Sequence, residues 1–199
     1  MNKVRNQNYL ALDLEMNKNN QGEARIIQVG VAVGNPYQPN EIRTWSWYLD
    51  PQEPIDPYIT ELTGISDEII RSQAISFEKM AEELGQVIKD NDVYINPIQW
   101  GVGDADKLKE ELLQRGIEFP FFGRRYFDVK TIFVFLEMAN GRALAGGLSS
   151  SMGKYKIPFQ GKSHRAEVDA LNTLRFLFHL LERQETLEGV IATIKGIKY

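Results

Sequence analysis

Three strand-type runs follow one another near the start of the chain with only turn-type residues between them, and this commits the fold to a β-hairpin beginning. "NYLALDL" reads as a buried strand and "ARIIQVGVAVG" as a second, closed by Gly34-Asn35-Pro36. "IRTWSWYLD" makes a third, in which aromatic and β-branched residues alternate. The pattern then changes period. "PYITELTGISDEIIRSQ" is short and turn-rich, whereas "SFEKMAEELGQVIKD" repeats Phe77, Met80, Ala81, Leu84, Val87 and Ile88 at helical spacing. Ser76 is its N-cap candidate, with Lys79 where a capping box has Glu or Gln. A strand "DVYINPIQW" leads to the helix "DADKLKEELLQRG", with Gly116 as C-cap. "RYFDVKTIFVFLEM" turns from strand into helix; a short helix around "LSSSMGKY" and the long helix "RAEVDALNTLRFLFHLLERQ" complete the order. Hairpin strands followed by alternating strands and helices predict an α/β fold, a mixed sheet with helices on its faces.

Composition narrows the function classes. A chain of 199 residues suits one domain, and no apolar run is long enough to span a bilayer. The opening "MNKVRNQNYL" has no apolar stretch of signal-peptide length, so the expected location is cytoplasmic. With no cysteine, any metal must sit on oxygen or imidazole. A net charge of -4 argues against a broad, nonspecific grip on nucleic acid but leaves room for a metal site that handles a strand end. Basic residues gather at Arg124 and Arg125, and again at Lys154, Lys156, Lys162 and Arg165; a solvated surface accounts for each group equally well.

Acids on a core strand are harder to account for. Asp13 and Glu15 stand two apart on the first strand, so both point to one face. Like charges this close raise each other's pKa unless cations hold them ionised. Divalent metal explains the pair; a strand ending at Leu12, with two solvated loop acids after it, explains it too. Asp169 falls one turn inside the last long helix, in register with Ala166, Leu174 and Leu177, where an unpaired carboxylate is costly. His164 just before that helix reads alone as a surface histidine, and His179, among apolar residues, reads as structural. Asp104 and Asp106 both suit the start of a helix, by capping or by the dipole.

Together, D-x-E on the first strand, W-G-x-x-D before a central helix and H-x-x-x-x-D opening a late helix resemble the DEDDh family of 3′-to-5′ exonucleases. The resemblance runs from Tyr9 to about Leu181 and takes in "ITELTGIS" and "YFDVKTIF". It implies a ribonuclease H-like sheet of five strands, the second antiparallel. It also implies a single exonuclease domain over residues 1–199, with its core at about 8–182 and a C-terminal helix or tail at 183–199. Asp13, Glu15, Asp104 and Asp169 match the acids that hold two ions, Mg2+ or Mn2+, and His164 the general base. The family's acid stands four places after the tryptophan, which selects Asp104 and leaves Asp106 as helix-start charge. In the chemistry this implies, two ions about 3.5 to 4 Å apart generate hydroxide and stabilise the leaving oxygen. Asp13 would bridge the ions, Glu15 and Asp169 complete the site of the nucleophilic water, and Asp104 support the second ion. His164 takes the proton, and nucleoside 5′-monophosphates leave from a free 3′ end.

"WGVGD" and "LTGI" look like the ERI-like, RNA-trimming branch more than like proofreading subunits, which carry His-Asn before the middle acid. The expected partners are single-stranded RNA or DNA 3′ ends. That branch often places an aromatic residue before the third acid, where this chain has Gly103. Tyr58 could stack on a base or belong to the core. Met16, in a "DLEM" similar to that of oligoribonucleases, could line the terminal-nucleotide pocket or fill a core gap. Leu14 and Leu62 join them as expected substrate contacts. "TLEGVIATIKGIKY" is expected as a last helix or tail packed on the domain, or as a homodimer contact. Two other functions stay open on sequence: an inactive nucleic-acid-binding module on this fold, and a nucleotide phosphohydrolase.

Overall fold

A computed structural model describes residues 7–18, 22–119, 121–142 and 146–195, with side chains as far as Glu182. Three strands open it, β1 (Tyr9–Lys18), β2 (Ala24–Gly34) and β3 (Arg43–Tyr48), as the two apolar runs and the alternating third predict. Two short helices follow, α1 (Pro57–Thr63) and α2 (Asp67–Gln73), and then the longer α3 (Phe77–Asp90). Next come β4 (Ile98–Gln99), α4 (Asp104–Gln114), β5 (Phe127–Asp128), α5 (Val129–Ala139), α6 (Leu148–Lys154) and α7 (Ala166–Lys195). The sheet runs β3-β2-β1-β4-β5. β2 is antiparallel to both β1 and β3, while β4 runs parallel to β1 and β5 parallel to β4, which is the mixed topology expected.

Alternation along β1 divides the core in two. Leu10, Leu12 and Leu14 face one way, into a cluster with Met80 and Leu84 of α3 and Leu108 and Leu112 of α4. Ala11 faces the other way, toward Phe133 of α5, Met152 of α6 and Ala170, Leu174 and Phe176 of α7. Each fully buried aliphatic or aromatic side chain of this kind contributes about 1.5–3 kcal/mol. Among the described residues, no helix is long and apolar enough to cross a membrane.

The turn-rich segment proves to be two helices, each with its own cap. Asp56 accepts from the Tyr58 N–H at α1, with Pro57 in the first turn, and Ser66 accepts from the Ile69 N–H at α2. Seven residues give too few turns to display a helical period. A register shift after Glu15, where Met16 pairs with Ile26, frees Ile27 to pack with Ile55, Ile65 and Ile70. That small cluster seats α1 and α2 beside the end of β1. Buried Asn17 ties them down further, donating to the Pro54 carbonyl at 3.1 Å and accepting from the Asp56 N–H at 2.9 Å.

Two other expectations change. The strand expected over "DVYINPIQW" is reduced to Ile98 and Gln99, plus a lone bridge from Val93 to Asn8. Pro97 has no N–H to donate, and the carbonyls of Ile95 and Pro97 are taken by the N–H groups of Gly123 and Phe127. The last segment starts no new helix, because the α7 backbone continues through it to Lys195. Its side chains, and residues 196–199, lie outside the described residues, as does any packing or dimer contact they make.

Candidate active site

The register of β1 on β2 decides what surrounds the first two acids. Asp13 pairs with Gly30 and Glu15 with Gln28, so the four share the face that α7 covers. Gly30 is the point of closest approach, because a Cβ there would lie 2.1 Å from the Ala166 carbonyl carbon and from the Glu167 nitrogen. The start of α7 can therefore rest directly on the strand beside the acids.

Gln28, wholly buried, makes that contact specific. Its Oε1 accepts from the Ala166 N–H at 3.1 Å, satisfying a first-turn amide of α7, while its Nε2 donates to Ser46 Oγ and to Glu167 Oε2, both at 2.7 Å. A second buried glutamine does the same for α4. Its N-cap, Gly103, offers no side chain, and Gln99 Oε1 reaches from β4 to accept from the Ala105 N–H at 3.2 Å. Gln99 Nε2 donates to the Gly101 carbonyl at 3.0 Å, and the Gly101 N–H donates to Asp128 Oδ1 at 2.8 Å. The two helices that carry Asp169 and Asp104 are thus each tied by their first turn to a strand.

Asp169 Oδ2 accepts from the backbone N–H of His164 at 2.8 Å. That loop geometry requires a left-handed backbone at His164, φ 62°, which few residues other than glycine adopt. The imidazole stays exposed, and ligand atoms of Glu15, His164 and Asp169 all lie within 4.8 Å of one another. Asp13 and Asp104 complete the group, close enough for their charges to act on it.

Burial and mutual repulsion push this group upward in pKa. Asp13 lies well above the ordinary carboxylate range, first through burial and then through Asp104, Asp169, Glu15 and Glu167. Glu15 rises to about 8, first through burial and then through Asp169, Asp104 and Glu167, against a lowering by Arg165. Burial raises Asp104 to about 7. Asp169 is also raised by burial, opposed by the His164 N–H and the His164 side chain. Oxygen donors of this kind, set close and short of compensating charge, fit hard divalent cations.

A stability signature follows. Carboxyls raised in the fold hold more protons in the native than in the unfolded state between their two pKa values, so stability falls as pH rises there. For Glu15 and Asp104 the window runs from their ordinary values of 4.5 and 3.8 up to about 8 and about 7. One pKa unit is worth about 1.4 kcal/mol. In EDTA, Tm should fall by at least ~5 °C between pH about 5.5 and about 8.5, and Mn2+ should restore it at the higher pH. Equal stability at both pH values, with no response to metal, would count against the cluster as described.

Of the other expected contacts, Leu14 is buried in the core on the α3 and α4 side. Met16 is partly buried at the edge of the same cluster. Tyr58 is 67% exposed on α1, so it is no core residue, and Leu62 is half-buried nearby. Asp106, two residues on and so on the opposite side of α4 from Asp104, is exposed to solvent. Gln28, Gln99, Gly30 and Glu167 join the site without a motif that points to them, and Arg165 joins it from the late basic group. The signal for the glutamines was present, an amide within "RIIQVGV" and another in "PIQW", each a polar residue in an otherwise apolar strand.

Residues 10–177 match the family described as Exonuclease, RNase_T. The curated "3'-5' exonuclease DinG" of Bacillus subtilis (strain 168) is 30% identical over 121 residues, 60% of this chain but only 12% of that protein. Among solved structures, the nuclease domain of 3'hExo, described as a DEDDh family member bound to rAMP, is 15% identical with a TM-score of 0.75, covering 89% of this chain and 92% of that one. Cell-death related nuclease 4 is 20% identical with a TM-score of 0.76, covering 89% and 64%. At these identities the two structures establish the common fold.

Proposed function

Because this chain belongs to the exonuclease family, we propose that it is a DEDDh-type enzyme that removes nucleotides one at a time from the 3′ end of single-stranded nucleic acid, RNA foremost, releasing nucleoside 5′-monophosphates. The observation that carries it is the convergence of Glu15, His164 and Asp169 within 4.8 Å, beside Asp13 and Asp104. Asp13, Glu15, Asp104 and Asp169 would hold two divalent ions, Mg2+ or Mn2+. Such ions, when bound, supply hydroxide at neutral pH and stabilise charge on the leaving oxygen.

The chain's own groups account for the rest. His164, exposed beside the acids, can take a proton from water held next to Glu15 and Asp169. Its backbone N–H, held by Asp169, orients the loop that presents the imidazole. Tyr58, exposed on α1, and Leu62 and Met16, both partly buried, are the candidates for contact with the terminal nucleotide. Stacking on a single-stranded base is worth about 1–3 kcal/mol, enough for Tyr58 to matter. Preference for RNA is supported by the sequence resemblance to the ERI-like branch and by relatives such as 3'hExo, described as bound to rAMP.

The test is a time course on 5′-labelled single-stranded RNA and DNA of one sequence, with Mg2+, Mn2+ or EDTA. A ladder that shortens from the 3′ end only with metal, faster on RNA, is expected. Intact strands throughout would overturn the proposal, and a faster ladder on DNA would reverse the substrate preference.

A further inference from the structure

Two cations converge beside the acids without an acid between them. A Cβ at Gly64 would lie 3.5 Å from Nζ of Lys162 and 3.5 Å from Nη2 of Arg165, so the two nitrogens stand at most twice that distance apart. Gly64 closes α1 in the left-handed conformation, φ 76°, and its missing side chain leaves the space between them open. Arg165 is fixed from behind, its Nη1 donating to Tyr48 Oη at 2.6 Å. Among the described residues neither cation forms an ion pair within 4 Å, although the charge of Arg165 reaches Glu15. Like charges held this close, at the border of a strongly acidic cluster, are complementary to an anion that enters from outside.

Size selects the anion. Two free oxygens of one phosphate, each accepting a charge-assisted bond of about 2.7–2.9 Å, bridge a gap of this width. We infer that Lys162 and Arg165 clamp one backbone phosphate of the substrate strand over Gly64, a phosphate adjacent to the one that is hydrolysed. This rests on the proposed activity. The clamp includes none of the acids and sits on the α1 side of Glu15, so its work is to set which linkage lies over them. Lys162 contributes charge from an exposed position and Arg165 a fixed donor.

Methylphosphonate linkages, which are neutral, placed one position at a time in a 5′-labelled RNA, test the clamp. In the wild type one upstream position should raise KM about tenfold with kcat little changed. Lys162→Ala should raise KM about as much on the unmodified strand and show no further loss at that one position, while losses elsewhere stay as in the wild type. Arg165→Met should behave likewise. Losses of wild type and Lys162→Ala that simply add at every position would overturn the inference. So would a lower Tm with an unchanged scan, which would make the pair no more than capping charges for α1. The same scan read as equilibrium binding to Asp13→Asn protein separates failures. If the wild type cleaves nothing, the activity falls; if binding then shows no coupled position, the clamp falls too.

Discussion

Replacing Asp13 by asparagine should lower metal-dependent strand hydrolysis roughly a thousandfold and, in the absence of divalent ions at pH about 8, raise the unfolding temperature. The two effects have one cause. Asp13 lies inside the cluster, its carboxyl poorly solvated and repelled by Asp104, Asp169, Glu15 and Glu167, so its ionised form is costly in the fold unless a cation sits beside it. Asparagine keeps the shape and removes the charge. The metal-free fold loses a repulsion, while the metal-loaded enzyme loses an oxygen that carries full negative charge. Steady-state hydrolysis and thermal denaturation in EDTA, on the same preparations, measure both. A variant that loses activity and stability together would mean that Asp13 serves packing, and one that keeps its activity would remove it from the chemistry.

Gly30→Ala should be the most damaging single methyl that can be added to the sheet. The new Cβ would meet two backbone atoms of α7 at 2.1 Å, Ala166 C and Glu167 N, and neither can rotate aside. Overpacking of this kind costs about 1–3 kcal/mol, and a displacement of about 1 Å at a catalytic group can cost on the order of a hundredfold in rate. Moving the start of α7 also carries off His164 and Asp169 and stretches the bond from the Ala166 N–H to Gln28. Expected are a fall in Tm and a far larger proportional fall in kcat. Gly153→Ala is the control, because a Cβ there meets nothing within 4 Å inside α6, and it should leave activity unchanged. Comparable behaviour of the two variants would show that α7 does not depend on contact with Gly30.

How far the sequence exposed all this depended on whether a feature is local. Asp13 and Glu15 could be read because strand alternation is local, and the spacing of His164 to Asp169 could be read because both belong to one helix start. The same holds for "SFEKMAEELGQVIKD", whose apolar period is long enough to stand out. Gln28 and Gly30 could not be assigned, since their meaning lies in the register that sets them opposite Glu15 and Asp13, and pairing is not written in either strand alone. Lys162 and Arg165 stay undecided in sequence, between a local positive site and solvated surface, for a similar reason, because Gly64, the residue that brings them together, is about a hundred positions away along the chain. The apolar run around Ile98 suggests a longer strand than forms, because Pro97 has no N–H for a ladder and the Ile95 carbonyl is taken by the Gly123 N–H. The seven-residue helices α1 and α2 are too short to show a period, and their caps, Asp56 with Pro57 and Ser66, use residues that turns use equally.

The paired glutamines also reach into the protein's fluctuations. N–H groups in the first turn of a helix ordinarily have no partner in the helix and open to solvent easily. Here the Ala166 and Ala105 amides are bound by Gln28 and Gln99, both fully buried and both rooted in the sheet. Hydrogen exchange at these two helix starts should therefore be governed by opening of the sheet itself, among the rarest events in the molecule. The ends that hold Asp169 and Asp104 would then be its slowest clocks, and the acids would keep their spacing through the smaller openings that loosen its surface.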